Sequence, residues 1–169
     1  MRILFSEQEL QKKVKDLARQ LNAEYQGKDN IVMVYIEKGG KFFFDKLMEQ
    51  IGFNVETDSI RVKSYDGTES GILKWLKKPS ISFDGKVCIL VDDILDTGKT
   101  MKKVKEFILK QGAVECKICV AVNKHERRLE YIHPDYHLLD LDEGFIVGFG
   151  MDYNEQYREL PAIYTMDEN

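Results

Sequence analysis

Residues Asp92-Asp93-Ile94-Leu95-Asp96-Thr97-Gly98-Lys99-Thr100 put three carboxylates, two hydroxyls, one ammonium and a glycine into nine positions. They lie between an apolar run and a helical pattern. A helix start offers unpaired backbone N–H groups and the positive end of its dipole, which suits a phosphate. Thr97 and Thr100 add hydroxyl donors. Gly98-Lys99-Thr100 invites a P-loop reading, but that motif needs a glycine five positions before Gly98, and Asp93 stands there. Three carboxylates would also repel a triphosphate. They suit sugar hydroxyls, a divalent metal reached indirectly, or the work of a base. Composition alone leaves an acidic turn that caps a helix as the alternative.

Such a turn must be held by the elements around it. Val87-Cys-Ile-Leu-Val91 is a short apolar run that reads as a strand buried on both faces. Thr100 to Gly112 reads as a helix, with Met101, Val104, Ile108 and Leu109 on one face. Ser6-Glu-Gln-Glu9 is a capping box, and Leu10, Val14, Leu17 and Leu21 follow at helical spacing, predicting a helix over 7–24. Ile31 to Ile36 is a second buried strand, broken by Gly39-Gly40, with a helix over Phe42, Phe43, Leu47, Met48 and Ile51. Phe53 to Tyr65 reads as one or two strands, and Ser64 to Ser82 as a long loop or hairpin of the kind that usually carries function. Val114–Val122, Tyr136–Leu141 and Phe145–Phe149 read as strands, and Asp152 to Asn169 as a short polar tail. Strands alternating with helices give an α/β domain with a mainly parallel sheet. Ligands of such sheets bind beyond the carboxyl ends of the strands.

At 169 residues the chain is expected to be one domain, 1–169. Hydrophobic residues at 43% and charged residues at 32% exclude a disordered chain, and no apolar run approaches the ~18 residues of a spanning helix. The N-terminus has no signal-peptide run. A net charge of −4 argues against a nucleic-acid coat. The three cysteines, Cys88, Cys116 and Cys119, suggest a reducing cytoplasm without a disulfide framework. Cys116-Lys-Ile-Cys119 lacks a second pair for zinc, and in a strand its thiols would face opposite ways. His125, His133 and His137 have no metal-like or triad-like arrangement.

Val87 through Met101 resembles the phosphoribosyl-pyrophosphate (PRPP) signature of type I phosphoribosyltransferases, most closely the hypoxanthine-guanine branch. Three further stretches resemble that branch in the right order. They are Glu37-Lys38-Gly39-Gly40-Lys41-Phe42-Phe43, Arg61-Val-Lys-Ser64-Tyr65, and Phe145-Ile146-Val147-Gly148 through Asp152-Tyr153-Asn154-Glu155 and Arg158. Together they span 31–160. The resemblance implies a mainly parallel central sheet flanked by helices, a small hood from the chain ends and a long mobile loop.

It also implies a reaction: transfer of the 5-phosphoribosyl group from PRPP to hypoxanthine and guanine, releasing pyrophosphate. On the matched positions, Asp92 and Asp93 would accept the ribose hydroxyls. The family usually has glutamate at the first, so the contact of the shorter Asp92 would be longer, water-bridged or metal-mediated. Asp96, Thr97, Gly98, Lys99 and Thr100 would cradle the ribose phosphate, and Asp96 would take the proton from the purine's five-membered ring. Lys38, Gly39, Ser64, Tyr65 and Arg158 would meet the pyrophosphate, with a cis peptide before Lys38. Lys124 would donate to the purine's six-position oxygen, although Asn123 to Arg128 departs from the usual loop and by itself reads as a charged solvated turn. Phe145 would stack on the base, Ile146 would offer backbone groups, and Asp152 would serve the base and metal end. Mg²⁺ at Asp92, Asp93 and Asp152 is the implied cofactor, and a homodimer or homotetramer the implied assembly. Trp75 is expected to report loop closure by its fluorescence. A xanthine-preferring transferase, or a regulatory protein on the same fold, is the alternative.

Overall fold

The computed structural model describes residues 1–64 and 72–167. The chain runs β1 (Arg2–Phe5), α1 (Glu7–Tyr25), β2 (Ile31–Ile36), α2 (Gly40–Met48), β3 (Glu56–Ser64), β4 (Leu73–Lys77), β5 (Val87–Leu95), α3 (Lys99–Lys110), β6 (Glu115–Lys124), β7 (Tyr136–Leu141), β8 (Ile146–Val147) and β9 (Ile163–Thr165). Six strands form the main sheet in the order β4-β3-β2-β5-β6-β7. All its pairings are parallel except the edge pair β3–β4. A small antiparallel sheet, β1-β9-β8, joins the two chain ends into a hood.

The unbroken apolar runs follow from burial on both faces. Along β2, Ile31 and Met33 pack with α1 and α2, while Val32, Val34 and Ile36 pack with α3. Along β5, Ile89 and Val91 take the first side, and Cys88 and Leu90 the second. α1 buries Leu10, Val14, Leu17 and Leu21, the periodic face read from the sequence, together with Ala18 and Tyr25. Its first turn is closed by Ser6, whose Oγ accepts the Glu9 N–H at 3.1 Å. Each fully buried leucine or isoleucine of these stripes contributes about 1.5–3 kcal/mol. On α3 the buried stripe is Met101, Val104 and Ile108, and Leu109, expected on it, is 39% exposed. One residue beyond Ile108 is a rotation of about 100°, which carries Leu109 off the sheet.

Two other expectations are refined. The 64–82 segment is in part a hairpin: β3 runs to Ser64 and β4 returns beside it, pairing Ser64 with Leu73. Trp75 sits on β4 with its ring 4.5 Å from that of Phe107 on α3, so it is anchored to the main body. The tail is not wholly polar, because Ala162 and Ile163 are buried at and in β9. Cys116 and Cys119 do face opposite sides of the sheet. Cys88 is the register partner of Cys116 on the α3 side, and burial helps push the Cys88 thiol up, as it does that of Cys119. Such thiols are unreactive packing groups. No helix among the described residues is long and apolar enough to cross a membrane.

From β2 the chain moves outward to β3, and from β5 it moves the opposite way to β6 and β7. The β2–β5 boundary is therefore where strand order reverses, the place where the following loops part and leave a crevice.

Candidate active site

β5 outlasts its neighbour. Its pairing with β2 ends at Tyr35–Val91, but its pairing with β6 continues to Leu95–Asn123. Asp92 and Asp93 thus project past β2, beside the turn that follows it. That turn contains a cis peptide, Glu37–Lys38, as the resemblance implied. Its glycines permit the approach: a Cβ on Gly39 would strike the Asp93 carboxylate, and one on Gly40 would lie 3.2 Å from Asp92 Cα. A third segment closes in from the hood side. A Cβ on Gly150 would strike the Gly39 carbonyl, so the 37–40 turn, the β5 end and the 148–152 stretch meet at backbone contact.

The two adjacent acids are held by the backbone. Asp92 Oδ1 accepts the Asp93 N–H at 2.8 Å, and Asp93 Oδ1 accepts the Ile94 N–H at 2.7 Å. Burial pushes the Asp92 carboxyl well up from its ordinary range, and the neighbouring Asp93 charge adds to this. Burial raises Asp93 as well, with the Arg158 charge opposing it. Donors arriving from a ligand would relieve both.

Asp96 differs. Its Oδ2 lies 3.3 Å from Arg127 Nη1, while its Oδ1 is buried without a hydrogen-bond partner. It does not cap α3: the cap residue is Gly98, without a side-chain cap bond. Gly98 has φ +87°, and a Cβ there would lie 2.6 Å from Ile132 Cγ2. Thr97 Oγ1 reaches the Lys99 N–H only at 3.4 Å, and Lys102 N–H is the first to bond within the helix, to Gly98 O at 3.0 Å. The amides of Thr100 and Met101 therefore point out of the helix start without intrahelical acceptors. Lys99 is exposed.

The 123–128 stretch is only in part a solvated turn: His125, Glu126 and Arg127 are exposed, whereas Asn123 and Lys124 are buried. Lys124 is buried at the end of β6, with Nζ 3.1 Å from Glu126 Oε1. Arg128, assigned no role from sequence, donates to five acceptors: Asp96 O at 2.8 Å, Leu95 O at 3.0 Å, Ile132 O at 2.8 Å, Lys124 O at 3.0 Å and Asn123 Oδ1 at 2.6 Å. One planar guanidinium thus ties the Asp96 turn to the Lys124 turn. Lys124, Asp93, Asp96, Phe145, Ile146 and Asp152 line one cavity of 170 Å³, with Ile94, Arg127 and Met151. It adjoins a 610 Å³ groove under the hood that shares Lys124, Phe145 and Ile146. Phe145 is 43% exposed, whereas Ile146 is buried. The Phe145 N–H donates to Asp167 Oδ2 at 3.0 Å, which fixes the backbone that carries the ring.

At the far end, Arg158 donates to Gly150 O at 3.0 Å, lies 3.4 Å from Asp152 and 3.3 Å from Glu155, and keeps Nε buried without a partner. Lys38 Nζ is 3.1 Å from Glu155. Among the described residues no three acidic, histidine or cysteine side chains converge as a metal cage, so Asp92, Asp93 and Asp152 are not one cluster. Asp152 instead faces Arg158 and accepts the Glu155 N–H at 2.9 Å. Ser64 ends β3, and Tyr65 lies outside the described residues.

The fold and this crevice define a class. The chain belongs to the phosphoribosyl transferase domain family, whose pattern its residues 3–154 match. It is 38% identical to a hypoxanthine-guanine phosphoribosyltransferase of Streptococcus agalactiae, over 99% of this chain and 93% of the relative. Among solved structures it is similar to a hypoxanthine phosphoribosyltransferase of Staphylococcus aureus (TM-score 0.92, 32% identity, 99% and 93% of the two chains covered). A hypoxanthine-guanine phosphoribosyltransferase of Bacillus anthracis, with a HEPES molecule in its active site, matches with TM-score 0.92 and 33% identity over 99% of both chains.

Proposed function

We propose that this protein is a purine-salvage transferase, joining hypoxanthine or guanine to the 5-phosphoribosyl group of PRPP and releasing pyrophosphate. One observation carries the reading: the buried, unpartnered oxygen of Asp96 lines the same cavity as Lys124 and Phe145, beside a helix start with free amides. Residues 1–169 act in this reading as one domain. The free amides at the start of α3, with the hydroxyls of Thr97 and Thr100, bind the ribose 5-phosphate. Asp92 and Asp93 accept the ribose hydroxyls.

Phe145 stacks on the purine, and Lys124 donates to its six-position oxygen. A six-amino group would meet that ammonium donor to donor, which disfavours adenine. The base then lies between ribose and Asp96, whose free oxygen takes the proton of the attacking five-membered ring as the bond to the ribose carbon forms. As pyrophosphate leaves, its charge falls to Lys38 and Arg158. The oxygen-only carboxylates of Asp92, Asp93 and Asp152 fit Mg²⁺, a hard ion that keeps waters and takes one or two protein carboxylates with substrate phosphates. When bound, it would neutralise charge on the diphosphate. A homodimer or homotetramer is the assembly that the resemblance implies.

The test is a spectrophotometric assay with PRPP, Mg²⁺ and each of hypoxanthine, guanine, xanthine and adenine. Turnover of the first two, with adenine inert, is expected; no turnover of any oxopurine overturns the reading. Asp96→Asn should lower kcat by roughly 10²–10⁴-fold with the PRPP KM little changed. Near wild-type turnover would remove Asp96 from proton transfer.

A further inference from the structure

Lys38 and Arg158 stand 120 positions apart in the chain, yet a single oxygen touches both. Glu155 Oε2 is 3.1 Å from Lys38 Nζ and 3.3 Å from Arg158 Nη2. We infer that Glu155 is an internal substitute for pyrophosphate: its carboxylate occupies the two cations that the leaving group needs, and must be displaced for PRPP or pyrophosphate to bind. The inference rests on the proposed role of those two cations.

The site is built for exchange. The Glu155 backbone is fixed, with φ +63° and its N–H bonded to Asp152 Oδ2 at 2.9 Å, so its side chain is aimed at the cations. The side chain itself is 63% exposed, and exposed ion pairs hold weakly, so it can swing into water at little cost. A diphosphate brings several charges against one and displaces it. The two cations are not equally affected. Arg158 keeps Asp152 and the Gly150 carbonyl when Glu155 leaves, and so stays in place. For Lys38, Glu155 is the ion-pair partner seen among the described residues. Glu155 therefore acts mainly through Lys38. Its consequence for the reaction is easier release: as pyrophosphate departs, the carboxylate returns and takes its place.

The experiment is calorimetric titration of the full-length protein with inorganic pyrophosphate and Mg²⁺. Removing the competitor should tighten binding, so Glu155→Gln and Glu155→Ala are expected to bind pyrophosphate about three- to ten-fold more tightly than wild type, the scale of one or two exposed ion pairs. In a Lys38→Met background the same substitutions should change affinity by less than two-fold. Binding that is unchanged or weaker in both Glu155 variants overturns the inference, and weaker binding would mean that the carboxylate assists the ligand. Wild-type protein that turns over hypoxanthine while Glu155→Gln shows no gain defeats this inference alone. Wild-type protein that neither turns over nor binds pyrophosphate defeats the functional reading as well.

Discussion

At the scale of single residues, the site divides into side chains poised for a ligand and side chains that hold the poise. Asp92 and Asp93 are of the first kind. Burial disfavours the charge of both, and the Asp93 charge adds to this at Asp92, so at neutral pH they weaken the free protein. Their raised pKa in the fold means that this destabilisation is felt above the ordinary carboxylate range and disappears as both are protonated in acid. Asp92→Asn should therefore raise Tm at pH 7 by about 2–4 °C, equivalent to roughly 1 kcal/mol, while raising the KM for PRPP; a lowered Tm in differential scanning calorimetry would contradict this. Arg128 is of the second kind. Arg128→Lys keeps the charge but cannot serve five acceptors in a plane. It should cost about 3 kcal/mol of stability and lower kcat/KM for both substrates, measured by urea unfolding and steady-state kinetics. The 92–100 turn was legible because its residues are contiguous. Arg128 was not, since its acceptors at Leu95 and Asp96 lie more than 30 positions away and only the fold brings them near.

At the scale of elements, the strands and helices that carry the site announce themselves. β2 and β5 are buried on both faces and read as solid apolar runs, while α1 and α3 show a clear stripe. β4 and β9 do not. β4 is a half-exposed edge strand whose Leu-Lys-Trp-Leu-Lys pattern gains meaning only against β3, and β9 has three residues. The strap between β3 and the segment after β4 depends on Asp58. Its carboxylate accepts the Ser80 N–H at 2.6 Å, the Ser59 N–H at 2.8 Å and the Ser80 hydroxyl at 3.1 Å. Burial works against its charge, but these donors prevail and hold its carboxyl below the ordinary range. A depressed carboxylate stabilises the fold above its unfolded pKa of about 3.9, and that contribution is lost as pH falls through the lower folded value. Asp58→Asn should cost about 1–2 kcal/mol at pH 7, with the gap from wild type closing below about pH 4. A gap that stays constant with pH would show that the charge contributes nothing.

For the whole molecule, the decisive feature is where three separated stretches meet. Strand order reverses between β2 and β5, and the hood folds back so that Gly150 abuts Gly39 and Phe145 overlooks the cavity shared with Asp96 and Lys124. The parallel sheet was foreseeable from alternating elements. The contact between hood and turn was legible only through resemblance, because nothing in the local pattern of 145–158 requires it to fold onto 37–40. The measurement that tests the account most directly is a crystal structure of the protein with inosine monophosphate. The account predicts the phosphate on the amides at the start of α3, the purine against Phe145, and Lys124 within hydrogen-bond distance of the six-position oxygen. A nucleotide seated elsewhere, with that helix start and the Asp96 cavity vacant, would contradict it.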